Sequence, residues 1–154
     1  MNKNKSAGIL AYKFRASTIE FFLVHPGGPF WKNKDQGAWT IPKGEFTDEE
    51  PLVAAIREFF EETGSQVDGE FISLQPVKQK SGKLIFAFAI ETKVDASKIH
   101  SNQFEMEWPP HSGKTQTFPE IDKAAWFELE DAKLKINPAQ VGLIEELLTK
   151  LKLK

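Results

Sequence analysis

Apolar-rich runs from Gly8 to Phe14 and from Thr18 to His25, separated by a short polar turn, predict a β-hairpin near the start of the chain. Pro26-Gly27-Gly28-Pro29 and the polar stretch Lys32 to Gly37 read as a loop, after which Ala38 to Ile41 predicts a short strand leading to Lys43-Gly44. Phe71 to Gln79 and Lys83 to Thr92 predict two strands around the Ser81-Gly82 turn. In the second, Leu84, Phe86, Phe88 and Ile90 alternate with Ile85, Ala87 and Ala89, so both faces are apolar, as in a central strand. Phe104, Met106 and Trp108 alternate with Glu105 and Glu107, a half-buried strand ended by Pro109-Pro110. Ala124 to Leu129 predicts another strand. Pro138 to Leu151 predicts an amphipathic helix with Val141, Ile144, Leu147, Leu148 and Leu151 on its buried side.

The segment Gly44 to Gly64 departs from ordinary amphipathicity. Pro51 suits the first helical position, where its missing N–H is not needed, and Gly64 suits the left-handed stop. At about 100° per residue, Leu52, Ile56, Phe59 and Phe60 cluster on one side, whereas Glu58, Glu61 and Glu62 fall within about 100° of one another on the other. Such like-charge neighbours cost roughly 0.2–0.5 kcal/mol per exposed pair. Two of them also sit near the helix C-terminus, where the macrodipole disfavours negative charge. The simplest compensation is a hard cation such as Mg²⁺, which prefers carboxylate oxygens.

Ile41-Pro42-Lys43-Gly44-Glu45 followed by Arg57-Glu58-Phe59-Phe60-Glu61-Glu62-Thr63-Gly64 resembles the signature box of the Nudix hydrolases, G-x5-E-x7-R-E-U-x-E-E-x-G-U with U bulky and aliphatic. Counting back from Arg57, the first glutamate is Glu49. Counting from Gly44, it is Glu50, so the loop before the helix is one residue short. Phe59 and Ser65 replace bulky aliphatic residues of the pattern. The resemblance implies an α+β Nudix fold, a mixed β-sheet sandwiched between α-helices, over a single domain spanning residues 1–154. It also implies that Glu58, Glu61 and Glu62 are catalytic metal ligands, one of them orienting or deprotonating the attacking water, and that the Gly44 carbonyl is a backbone ligand. Small size at Gly44 lets the backbone approach an ion. Arg57 has two readings, a phosphate clamp or a partner of Glu49 that holds the loop; family usage favours the second.

Phe118-Pro119-Glu120-Ile121-Asp122 through Trp126 resembles the P-E-x-D-x-x-x-W run of RNA pyrophosphohydrolases and dinucleoside polyphosphate hydrolases. By that resemblance Glu120 joins the metal cluster from a neighbouring loop; otherwise it is a surface acid before an edge strand. Glu105 and Glu107 read as a solvated strand face. Lys43, tethered between Pro42 and Gly44, is a candidate phosphate contact, and Lys78, Lys80 and Lys83 are weaker ones. Phe30, Trp31 and Trp39 are candidates to stack on a nucleobase, whereas Trp126 and Phe127 read as core. His25 borders the glycine loop, either at a pocket edge or simply as a strand end; with His100 and His111 it shows no metal-ligand spacing.

Composition narrows the function classes. The chain has 154 residues, a formal charge of -2 and a pI near 6.0, so no basic field calls for DNA or a membrane surface. The absence of cysteine excludes disulfides and thiolate metal sites. The polar, basic N-terminus is followed by no signal-peptide pattern, and no apolar run approaches membrane-spanning length, so a cytoplasmic location is expected. The reading is a Mg²⁺-dependent pyrophosphohydrolase, with Mn²⁺ as substitute, cleaving a diphosphate linkage in a nucleoside triphosphate or dinucleoside polyphosphate. Its expected partner is a nucleotide small molecule, with a homodimer left open. The alternatives are a 5′-RNA pyrophosphohydrolase and a non-catalytic Nudix-fold module that senses nucleotides.

Overall fold

The computed structural model describes residues 5–153. A mixed sheet runs through the molecule. Its centre is β1 (Lys5–Arg15), which pairs antiparallel with β2 (Thr18–Pro26) and β3 (Lys43–Glu45) along one edge. Helix α1 (Pro51–Thr63) follows, then the short strands β4 (Ile72–Ser73) and β5 (Val77–Lys78). Both pair antiparallel with β6 (Leu84–Glu91), which runs parallel to β1 on its other edge. A separate hairpin joins β7 (Gln103–Glu107) to β8 (Thr115–Pro119). The chain returns as β9 (Ile121–Glu128) antiparallel to β2, and ends in α2 (Leu129–Lys135) and α3 (Val141–Lys150).

The alternation of β1 and β2 explains the layers. Leu10, Tyr12, Phe21 and Leu23 join Ile85, Ala87 and Ala89 against Leu143, Ile144 and Leu147 of α3. On the opposite face, Ala7, Ile9, Phe22 and Val24 pack with Ala54, Ala55 and Phe59 of α1. The sheet is therefore covered on both faces, and the expected α+β sandwich is present. Among the described residues, no helix is long and apolar enough to cross a membrane.

Several local expectations change. The apolar face of α1 is centred on Ala54, Ala55 and Phe59, which are buried, whereas Phe60 is exposed. Two alanines let the helix lie close to the sheet, which rotates the larger Phe60 outward. Ala38 to Ile41 is not a strand but two isolated bridges, Val24 to Thr40 and Trp39 to Ile136. Phe71 to Gln79 breaks into β4 and β5 around Pro76, which has no N–H to give a ladder. The final helix starts at Val141, after a 3₁₀ turn at Pro138–Gln140 capped by Asn137, whose Oδ1 accepts the Ala139 N–H. At the β2 end, the register with β9 shifts between His25 and Pro26, and there the chain leaves the sheet for the loop that overhangs the site.

Candidate active site

Helix α1 delivers its carboxylates against β3. Gly64 ends the helix in the left-handed conformation (φ 80°) and returns its N–H to the Phe60 carbonyl. From the middle of the helix, Arg57 reaches back to Glu49, donating from Nε at 2.9 Å and from Nη2 to the same carboxylate at 2.6 Å. This two-point contact holds the loop before α1: Glu49 pairs with the arginine and Glu50 occupies the helix N-cap, which fits the count made back from Arg57. Nη1 of the same guanidinium also donates to Glu58 at 2.9 Å and Glu61 at 3.2 Å.

Glu62 accepts the backbone N–H of Lys43 at 3.1 Å, which ties the last turn of α1 to the start of β3. Glu58 lies directly over Gly44. A Cβ built at Gly44 would fall 1.9 Å from the Glu58 Oε1, so only glycine leaves the room this carboxylate occupies. Glu120 arrives from the short link between β8 and β9. Its carbonyl accepts the Gly27 N–H at 2.8 Å, and its own N–H goes to the Asn102 carbonyl at 2.8 Å.

The electrostatics are strained in one direction. Burial pushes the Glu62 carboxyl up to about 8, opposed by the Lys43 N–H and raised further by Glu58 and Glu120. Glu58 is raised by burial first and by Glu61, against the pull of Arg57. Glu120 is raised by burial and then by Glu61. Lys43 is lowered, chiefly by its own burial. Arg57 is raised, chiefly by its bond to Glu49, so much of its charge is already engaged.

Among the described residues, no three acidic or imidazole side chains converge on one point at ligand distance. Arg57 occupies the space between Glu58 and Glu61. The chemistry of the donors nevertheless fits a hard divalent cation: an all-oxygen set, carboxyls that repel one another, and a backbone cradle at Gly44 that any side chain would fill.

Pro26, Trp31, Thr40, Lys43, Glu62 and Glu120 share the walls of a cleft of about 270 Å³. Pro26, Trp31, Thr40 and Lys43 also line a neighbouring cavity of about 730 Å³, which extends to Gln79, Lys80, Asn137 and Gln140. Trp31 and Lys43 thus stand where the two spaces meet. The other two aromatic candidates sit apart from this junction. Trp39 is buried; its Nε1 donates to Asp35 at 2.8 Å and its ring packs edge-on to Phe127 and His25, so no face is free for a base. Phe30 is exposed but turns to Trp108, 5.9 Å away between centroids, and lines neither space. Glu105 and Glu107 lie exposed on β7. Lys83 pairs with Glu45. The pattern of the sequence pointed to neither Thr40 nor Gln140. Gln140 is fully buried, and its Oε1 accepts the Ile41 N–H at 3.0 Å. A buried glutamine in a short 3₁₀ turn carries no periodic signal.

The NUDIX domain model matches residues 3–147 of the chain. The protein belongs to the Nudix family. It is a Nudix-type hydrolase. Its fold is similar to that of a Caenorhabditis elegans Ap4A hydrolase in a binary complex, at 23% identity over 96% of this chain and 98% of that one, with a TM-score of 0.64. The Nudix domain of Shewanella oneidensis NrtR, complexed with ADP ribose, matches at 15% identity over 98% and 90%, with a TM-score of 0.66. MutT, from a study of Aliivibrio salmonicida and Vibrio cholerae, matches at 15% identity over 97% and 98%, with a TM-score of 0.57. At these identities the likeness concerns the Nudix fold. A comparison with curated proteins found no match.

Proposed function

We propose that this Nudix-type hydrolase is a metal-dependent pyrophosphohydrolase that cleaves a diphosphate linkage in a nucleoside triphosphate or dinucleoside polyphosphate. The observation that carries the reading is the junction of the carboxylate cleft with the larger cavity at Lys43 and Trp31. Phosphates belong on the acidic side and an organic group on the other. Gly44 through its carbonyl, with Glu58, Glu61, Glu62 and Glu120, would hold Mg²⁺ or Mn²⁺. Such a cation neutralises phosphate oxygens and makes bound water a better nucleophile.

The chain's own groups have separable tasks. Lys43, tethered beside Gly44, meets phosphate oxygens between the two spaces. Trp31 is 37% exposed and offers a ring face for a base, a contact worth about 1–3 kcal/mol. Arg57 holds Glu49 and keeps the shortened loop in place, rather than reaching substrate. One of the glutamates orients or deprotonates the attacking water. Water attacks one phosphorus, and the bridging oxygen departs with the other phosphate.

Retention of Glu58, Glu61 and Glu62 favours an enzyme over a nucleotide-sensing module. The test is a substrate panel in Mg²⁺: normal and oxidised triphosphates, diadenosine polyphosphates, nucleotide sugars and 5′-triphosphate RNA. Turnover of a triphosphate or diadenosine polyphosphate supports the reading. Preference for RNA moves the assignment to the RNA class, and binding without turnover moves it to a sensor.

A further inference from the structure

His25 ends β2 with its side chain fully buried. Both ring nitrogens meet oxygens: Nδ1 lies 2.8 Å from the Asp122 carboxylate, and Nε2 lies 2.7 Å from the Lys34 carbonyl. A carbonyl and a carboxylate only accept, whereas a neutral imidazole supplies one N–H and one lone pair. Only the imidazolium donates to both. Asp122 keeps 32% of its side-chain surface exposed, whereas the ring has none.

The two acceptors belong to the two segments that flank the cleft. The Lys34 N–H donates to the Trp31 carbonyl at 3.0 Å, the Trp31 N–H donates to the Gly28 carbonyl at 3.2 Å, and Lys34 Nζ sits 5.1 Å from the centroid of the Trp31 ring. Fixing the Lys34 carbonyl therefore fixes the turn that presents Trp31. Asp122 is two residues beyond Glu120, whose carbonyl accepts from Gly27. The surrounding charges are Asp122 and Lys123 on β9, Lys34 and Asp35 in the loop, and Lys135 on α2, which pairs with Asp35. The Trp39 ring closes the remaining side, 5.3 Å from the imidazole.

We propose that His25, held as an imidazolium between Asp122 and the Lys34 carbonyl, is a positioning residue that sets Trp31 against the carboxylate cleft. The role at Trp31 rests on the nucleotide reading above; the charge of His25 does not. Two-bond ¹H–¹⁵N spectra of the imidazole at pH 7 should show both ring nitrogens protonated, and a neutral tautomer overturns the proposal.

His25→Asn keeps a donor toward Asp122 and gives up the Lys34 bond. It should raise KM for ATP with Mg²⁺ about 10-fold, as truncation of Trp31 should, while kcat falls less than about 3-fold. If His25 acts through Trp31, H25N and W31A are non-additive in KM. Additive effects overturn the proposal. If H25N does not fold, Asp122→Asn removes the partner charge of the ring and takes its place in the KM comparison, and an unchanged KM overturns the proposal. If no substrate is turned over, amide exchange still decides, because Trp31 and Lys34 should exchange faster in H25N or D122N whatever the ligand, and unchanged exchange sinks the clamp.

Discussion

Replacing Gly44 by alanine perturbs the site with one methyl group. The new Cβ would lie 1.9 Å from Glu58 Oε1, where ordinary contact begins at 3.4 Å, so the carboxylate must retreat by at least about 1.5 Å. It cannot do so freely, because Arg57 holds its other oxygen at 2.9 Å and is itself fixed by Glu49. A misplacement of about 1 Å in a positioned group can cost about 10²-fold in rate. We expect G44A to lower kcat by that order at saturating Mg²⁺. Folding should change by less than about 1 kcal/mol, since the loss of unfolded-state freedom partly offsets the displaced side chain. The assay is an initial-rate series beside thermal melts followed by circular dichroism. Gly142→Ala is the control, because a Cβ there meets nothing within 4 Å. G44A with wild-type kcat would refute the claim that the space above Gly44 belongs to a working Glu58.

Three further outcomes are expected. Glu120→Gln should raise the Mg²⁺ concentration needed for half-maximal rate, whereas Glu105→Gln and Glu107→Gln, which remove exposed strand charges, should do less; a metal titration on all three that singles out Glu107 moves the ligand to β7. Trp31→Ala should raise KM roughly 10-fold with little change in kcat, and a stable variant with unchanged KM places the base elsewhere. Arg57 holds the Glu49 carboxyl below its ordinary 4.5, so this pair stabilises the fold above that pH and the contribution is lost as pH falls through the lowered value. Glu49→Gln should therefore flatten the loss of Tm on acidification, and an unchanged acid slope would count against the pair.

The layers of the fold were legible because β1, β2 and β6 are apolar on both faces and α1 sets an apolar side against an acidic one. The carboxylates could be grouped from spacing alone, since 58, 61 and 62 share a helix face whatever the loops do. Trp39 could not be assigned, because burial depends on its bridge to Ile136 and its bond to Asp35, contacts with no local signal. Phe30 faces Trp108 only because a hairpin almost eighty positions later folds beside it. That hairpin's second strand, Thr115–Pro119, is polar and mostly exposed, so no hydrophobic pattern marks it. Helix α2 was missed for a related reason: seven residues with only Ala132 fully buried give too little periodicity.

Cation-dependent diphosphate cleavage by the carboxylates of α1 is the activity proposed for this site. Its most direct test compares hydrolysis of ATP and diadenosine tetraphosphate by the wild type, Glu61→Gln and Glu62→Gln at saturating Mg²⁺. Each variant keeps the volume of the side chain and removes one charge. Wild-type turnover should stop on chelation, and kcat should be at least about 10²-fold lower in each folded variant. Near-normal turnover in either variant, or wild-type turnover that survives chelation, would contradict it.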